Sequence, residues 1–454
     1  MKNSIQSLSH IFDKESLQAI EKDEIFCFIK ILAEHLQDPD QIDAFMQGPL
    51  WDPPSLADGH PGILILFCIL YQKNLLAGNK AEIIHRYILK IKETVEKSQN
   101  LNLSLFSGIA GICFALKFAV DIERRYSKLL EPLHGLLLKY MDHAYFDPLR
   151  ASITKQHPRL SSYYDIVQGI AGVGCYTLTN LQNPSFYELS EKIARTLVAL
   201  CTPFKKGENI IPGWYVAPDD PLNKNNPRPE GSFNLGFAHG VPGVLAFLCA
   251  AALKGVIVRD QKETIHTLAE WISKRSFYDE KNTIRWTHEV SWEEEFTDKI
   301  FFPKNSSQDG WCYGVPGVAR SLFLAGCVLQ DQKLKDFALK AFQGVFNRPP
   351  VDWKLHGPSL CHGIAGLLLL THHMAQETGC SQLTAQVNKL QKILLSHYKS
   401  DSRFGFQDID YGPQGGHITV DKPGLMNGTV GILLTLLTLS DPIFEWDLPF
   451  LGHV

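Results

Sequence analysis

Two kinds of hydrophobic pattern alternate along the chain. Segments such as "AEIIHRYILKIKETVEK", "ELSEKIARTLVAL", "TIHTLAEWISKRSF", "DQKLKDFALKAFQGVF" and "LTAQVNKLQKILLSHYK" mix apolar and charged residues with a helical period, the mark of half-exposed amphipathic helices. Between them lie short segments that are apolar nearly all round, including "ILILFCILY", "ICFALKFAV", "VLAFLCAAAL", "VARSLFLAGCVL", "LLLLTHHMA" and "ILLTLLTLS". A helix without a polar face must be buried. Each apolar segment follows a Gly-x-x-Gly. The seven copies start at Gly59, Gly108, Gly169, Gly240, Gly314, Gly363 and Gly428, at intervals of roughly 50 to 75 residues. One copy carries no information; seven, each opening an apolar run, define a repeat.

The repeat is an outer amphipathic helix, a loop, a glycine turn and an inner buried helix. Glycines at the turn allow tight bending and close approach of a neighbour. Such hairpins cannot bury their apolar faces singly, but a ring of inner helices surrounded by outer ones can. The expected fold is all-α, an α/α toroid forming one domain over residues 1–454. Residues at the seven turns then converge on one face, at the N-termini of the inner helices. Strand signals are sparse. Two stretches interrupt the pattern, Cys201 to Gly236, rich in Pro, Asn and Gly, and Asp279 to Gly310, with scattered aromatics. Both are expected to be ordered loops or a small β-containing insertion.

Composition narrows the class. The 454 residues are 45% hydrophobic and 20% charged, with a formal charge of −4, which speaks against a nucleic-acid partner. The first 20 residues lack the apolar core of a signal peptide. The most apolar stretch, "GVPGVLAFLCAAALKGVIV", is broken by Pro242, glycines and Lys254, too short an uninterrupted run to span a membrane. Ten cysteines without disulfide-like clustering fit a reducing compartment. A cytoplasmic protein is expected.

Most cysteines sit in apolar runs and read as buried thiols. Cys312 in "GWCYGVPG" and Cys361 in "LCHGIAG" do not. At three turns a metal-type residue stands beside the first glycine: Cys312-Tyr313-Gly314, Cys361-His362-Gly363 and Ala238-His239-Gly240. If the turns share a face, these side chains can meet. Two thiolates and one imidazole suit zinc, and three protein ligands with an open fourth position are the pattern of a catalytic site.

"GWCYGVPG" and "LCHGIAG", with "AHGVPG" and "YYDIVQGIAG" upstream, resemble the lanthionine synthetase cyclase family over nearly the whole chain. The resemblance implies a toroid of seven inner and seven outer helices and one zinc ion (Zn2+) per chain, held by Cys312, Cys361 and His362. It implies addition of peptide cysteine thiols to dehydroalanine or dehydrobutyrine, closing (methyl)lanthionine thioether rings in a lantibiotic precursor. His239 is then the acid that protonates the enolate, and Asp165 orients or assists it. Tyr313 is placed to hydrogen-bond near the metal. Asp165 could instead be a turn or helix-cap residue, and Tyr313 a buried packing residue. The substrate would be a dehydrated precursor peptide, leader plus core. Expected partners are a separate dehydratase and an export transporter, with the enzyme free in the cytoplasm or peripheral at the inner membrane face.

One position departs from the family. Its bacterial members carry an arginine four residues before the first zinc cysteine, where this chain has Gln308. Either Arg285 or Arg320 supplies a cation, or none is needed. His60, in "DGHPG", has no evident pairing and reads as structural. The insertion from Cys201 to Gly236 is the candidate contact for the leader. Three other activities compete: addition of glutathione to dehydrated residues, zinc-dependent prenyl transfer to a peptide thiol, and a non-catalytic scaffold for the biosynthetic proteins.

Overall fold

The computed structural model describes residues 8–13, 20–46, 48, 50–76, 80–98, 101–157, 160–220, 229–297, 308–411, 416–440 and 445–450. Each Gly-x-x-Gly opens a helix: α1 His60–Gln72, α2 Ile109–Ile122, α3 Ile170–Leu178, α4 Val241–Leu253, α5 Val315–Leu329, α6 Ile364–Thr378 and α7 Thr429–Ser440. In α4 every residue from Val241 to Ala251 is buried. Each large aliphatic side chain so removed from water contributes about 1.5–3 kcal/mol. Pro61, Pro242 and Pro316 fall in the first turns of their helices, where the missing N–H would be unpaired in any case.

The chain forms two compact units. The first comprises Met1–Asn102, Phe106–Gly135 and Leu355–Trp446; the second Leu103–Leu105, Leu136–Lys354 and Asp447–Val454. In the first, α6 packs on α7, α7 on α1 and α1 on α2. Helix Lys80–Lys97 covers α1, Ser381–Ser396 covers α6 and Lys22–Glu34 covers α7. In the second, α3 packs on α4 and α4 on α5. Pro184–Leu200 covers α3 and α4, Gln261–Lys274 covers α4 and α5, and Gln332–Val345 covers α5. The covering helices bury one stripe only. In Lys80–Lys97 it is Ile83, Ile84, Tyr87, Ile88 and Ile91, the spacing of one helical face.

A side chain on either glycine would strike the backbone of its own turn: a Cβ at Gly240 would lie 2.3 Å from the Asn234 carbonyl oxygen, and one at Gly243 2.4 Å from the Phe237 carbonyl oxygen. One on the second would in addition meet the neighbouring turn. The nearest neighbour side chain is Leu425 for Gly62, Leu105 for Gly172, Ile166 for Gly243, Phe237 for Gly317 and Leu360 for Gly431. Each of these five stands three residues before the first glycine of its own turn. Backbone hydrogen bonds complete the linkage. In the first unit Cys361 N–H donates to the Met426 carbonyl, Met426 N–H to Ala57 and Ala57 N–H to Phe106. In the second, Ile166 N–H donates to Ala238 and Ala238 N–H to Cys312. Within each unit the turns are therefore held side by side, as the repeat implied.

Strands are few and short, as expected. In the first interruption β1 Phe204–Lys206 pairs with β2 Asn209–Ile211 around Gly207, whose φ of +64° suits the tight turn. The two interruptions also join each other: β3 Ser232–Asn234 pairs with β6 Glu289–Ser291, Phe233 opposite Val290. Between them β4 Phe277–Tyr278 pairs with β5 Ile284–Arg285. Trp214 on Trp271 and Tyr215 on Trp292, with centroids 5.2 and 5.4 Å apart, give this region its own aromatic packing. Parts of both interruptions, 221–228 and 298–307, lie outside the described residues. A fourth ribbon, β7 Gln407–Tyr411 with β8 His417–Asp421, belongs to the first unit.

Candidate active site

The second unit gathers Asp165, His239, Cys312 and Tyr313 at the turns before α3, α4 and α5. His239 Nδ1 and Asp165 Oδ2 are 2.7 Å apart. The other oxygen of Asp165 accepts the backbone N–H groups of Gln168 and Gly169, at 2.6 and 2.9 Å. Asp165 is fully buried and His239 retains a fifth of its side-chain surface. One oxygen of Asp165 thus holds its own turn and the other contacts the histidine. Burial opposes a charge on His239. The hydrogen bond to Asp165 and that carboxylate's charge outweigh it, with Cys312 and Asp220 acting in the same direction, so the imidazole pKa is raised.

Tyr313 is held from two sides. Its hydroxyl accepts from Asn234 Nδ2 at 3.0 Å, and Asn234 Oδ1 accepts the Gly236 N–H at 2.8 Å. A Cβ on Gly236 would lie 2.3 Å from the Tyr313 ring. The ring centroid is 6.5 Å from His239 and 4.8 Å from His288. Burial, first among the causes, pushes the Tyr313 hydroxyl pKa up, so it stays protonated and able to donate.

Cys312 is 7% exposed. Its turn differs from the other six: Gly314 has a φ of +115°, and a Cβ there would meet the Gln308 carbonyl oxygen at 1.8 Å. Gln308 donates through Nε2 to Cys312 Sγ at 3.6 Å. The next residue in the loop, Asp309, forms a fully buried ion pair with Arg348 at 2.7 Å and donates its N–H to the Trp353 carbonyl. Neither arginine named as a substitute cation stands open to solvent. Arg285 is 4% exposed and lies among the charges of Asp309, Arg348 and Asp279, and Arg320 is wholly buried in α5 above the Phe323 ring.

Cys361 and His362 belong to the first unit, both partly exposed at the turn before α6. His362 Nε2 lies 3.5 Å from Asp408 Oδ2, on β7. The zinc set expected from the sequence therefore draws one residue from the second unit and two from the first. Among the described residues no three Cys, His, Asp or Glu side chains already form a metal cage. The donor types, two sulfurs and an imidazole, fit zinc. His60, which showed no pairing in the sequence, is buried against Trp51 with Nε2 3.0 Å from Asp43. By contrast with the turn cysteines, Cys175 lies wholly inside α3, where burial pushes its thiol up to about 12.

Sequence reasoning missed Asn234, His288 and Asp408, and did not anticipate that Gln308 would address Cys312. Asn234 had a weak signal, five residues before His239 in "FNLGFAHG". Asp408, in "FQDIDYG", had none beyond a short polar–apolar alternation.

Among the described residues no helix is long and apolar enough to cross a membrane. Residues 50–451 match the family described as lanthionine synthetase C-like protein. The chain is 23% identical over 357 residues to the nisin biosynthesis protein NisC of Lactococcus lactis subsp. lactis, covering 78% of this chain and 82% of that protein. Its structure resembles that of nisin cyclase with a TM-score of 0.75 at 21% identity, over 93% of this chain and 97% of the other. That likeness bears out the expected fold class, an all-α α/α toroid. The match across residues 50–451 establishes that this chain belongs to the lanthionine synthetase C-like protein family.

Proposed function

We propose that this protein is a zinc-dependent lanthipeptide cyclase. Its substrate is a dehydrated precursor peptide with leader and core, made by a separate dehydratase and passed on to an exporter. The observation that carries the reading is the His239–Asp165 pair at 2.7 Å, on a turn hydrogen-bonded through Ala238 to Cys312. Family membership over residues 50–451 supports it.

Cys312, Cys361 and His362 would hold the metal. Zinc bound there supplies one thing, the acidification and fixing of an incoming peptide thiol, whose ordinary pKa of about 8.5 leaves little thiolate at neutral pH. The new bond joins the peptide sulfur to the β-carbon of dehydroalanine or dehydrobutyrine. The double-bond electrons move to the α-carbon and its carbonyl, giving an enolate. His239, charged and held by Asp165, delivers a proton to the α-carbon. The thiol proton leaves to solvent and His239 regains one, so the product has the mass of the substrate. Tyr313, kept protonated, is the donor available to the enolate oxygen. Gln308 addresses Cys312 instead, and this reading assigns no cation to the enolate. The segment Cys201 to Gly236 is the proposed leader contact.

The test is incubation of the zinc-loaded protein with a dehydrated precursor, with and without glutathione. Cyclisation leaves the mass unchanged and abolishes thiol alkylation. A mass increase of one glutathione per site would assign the rival addition, and alkylation persisting without mass change would leave a scaffold.

A further inference from the structure

Asp408 is 3% exposed, and neither carboxylate oxygen has a hydrogen-bond partner. Its position is nonetheless closely determined. The residue sits on β7 opposite Val420 of β8, and Oδ2 faces His362 Nε2 at 3.5 Å. Oδ1 approaches Gly357, where a Cβ would lie 2.4 Å away. Gly357 heads the same turn, since its carbonyl accepts the Ile364 N–H at the start of α6. Any side chain at that position would displace the Asp408 carboxylate. The cation of this ribbon, Lys422, is engaged with Asp410. A buried carboxylate left without donors is costly, and the Asp58 carboxylate nearby only repels it; the donor that faces it is one imidazole nitrogen of a residue assigned to the metal.

We propose that Asp408 is the positioning residue for His362. It takes the Nε2 proton as its hydrogen-bond partner, which fixes the ring tautomer and leaves the Nδ1 lone pair as the donor to zinc. A carboxylate behind a ligating histidine also raises the basicity of the ligating nitrogen. The inference rests on the zinc reading above and adds a residue on a ribbon that the helical repeat does not contain.

Two measurements test it, on the full chain and on its Asp408→Asn, Asp408→Ala and Cys361→Ala variants. The first is zinc affinity by competition with a chromophoric chelator, with the absorption spectrum of the cobalt-substituted protein alongside. Both Asp408 variants should weaken zinc binding by roughly 10–100-fold and shift the cobalt bands. The second is the tautomer of His362 in the metal-free protein, read from its ring nitrogen chemical shifts. The unsubstituted chain should show the Nε2-protonated form and Asp408→Asn, which keeps the side-chain shape, a mixture. Wild-type affinity and cobalt spectrum in both Asp408 variants would overturn the proposal, as would an unchanged tautomer. Cys361→Ala separates the two levels. If it loses zinc while the Asp408 variants do not, only the positioning role fails. If it too binds zinc as tightly as wild type, the zinc reading fails.

Discussion

Asp165 binds with both oxygens, one to His239 Nδ1 and one to the backbone N–H groups of Gln168 and Gly169. The histidine is thus tied directly to the turn that opens α3. Its raised pKa follows from that arrangement, because the carboxylate outweighs the burial that disfavours charge.

Asp165→Asn should therefore lower the His239 pKa, since burial remains and the main opposing charge is gone. A group with a raised folded pKa stabilises the fold fully below its unfolded value, about 6.5 for histidine, and the contribution is lost as pH rises through the folded value. The same titration governs the acid in ring closure. The rate should fall as pH rises through the His239 pKa, and in Asp165→Asn that fall should begin at lower pH. An NMR titration of the His239 ring and a pH–rate profile check the two halves.

Arg348→Ala leaves Asp309 buried without its partner, beside the loop that carries Cys312. Breaking such a pair costs about 3–5 kcal/mol. Urea denaturation should show a loss of that order.

Glycine substitutions should separate by position. Gly314→Ala meets both a φ of +115° and the Gln308 carbonyl, and should destabilise by at least about 1–3 kcal/mol. Gly135→Ala, in helix Ser127–Met141 with open space around it, should be neutral or stabilise by about 0.4–1 kcal/mol. Thermal unfolding of the two variants decides whether the turn glycines matter for the reason given.

Much of this architecture was legible in the sequence. Seven apolar segments behind seven glycine turns read as inner helices, and the neighbouring side chains that the second glycine approaches recur in register, as at Gly243 against Ile166 and Gly317 against Phe237. His239 drew attention because it stands at such a turn, and Asp165 only through the family resemblance of "YYDIVQGIAG". What escaped depends on pairing between distant segments. Nothing local in "SFN" or "EVS" announces that β3 and β6 join the two interruptions. Asn234 acquires its role only when Tyr313 arrives from the next repeat. Asp408 sits in an alternation too short to distinguish from a loop, and its meaning comes from a histidine 46 residues earlier in the chain. The exchange of arginine for Gln308 was visible, but not that its amide would turn to Cys312.

The most direct test of ring formation with protonation at the α-carbon is to run the reaction in D2O. A dehydrated precursor is incubated with the zinc-loaded protein, returned to H2O to remove exchangeable label, and weighed by mass spectrometry. The account predicts one carbon-bound deuterium for each ring formed, together with loss of one alkylatable thiol. Product without carbon-bound deuterium, or thiols that remain fully alkylatable, would contradict it.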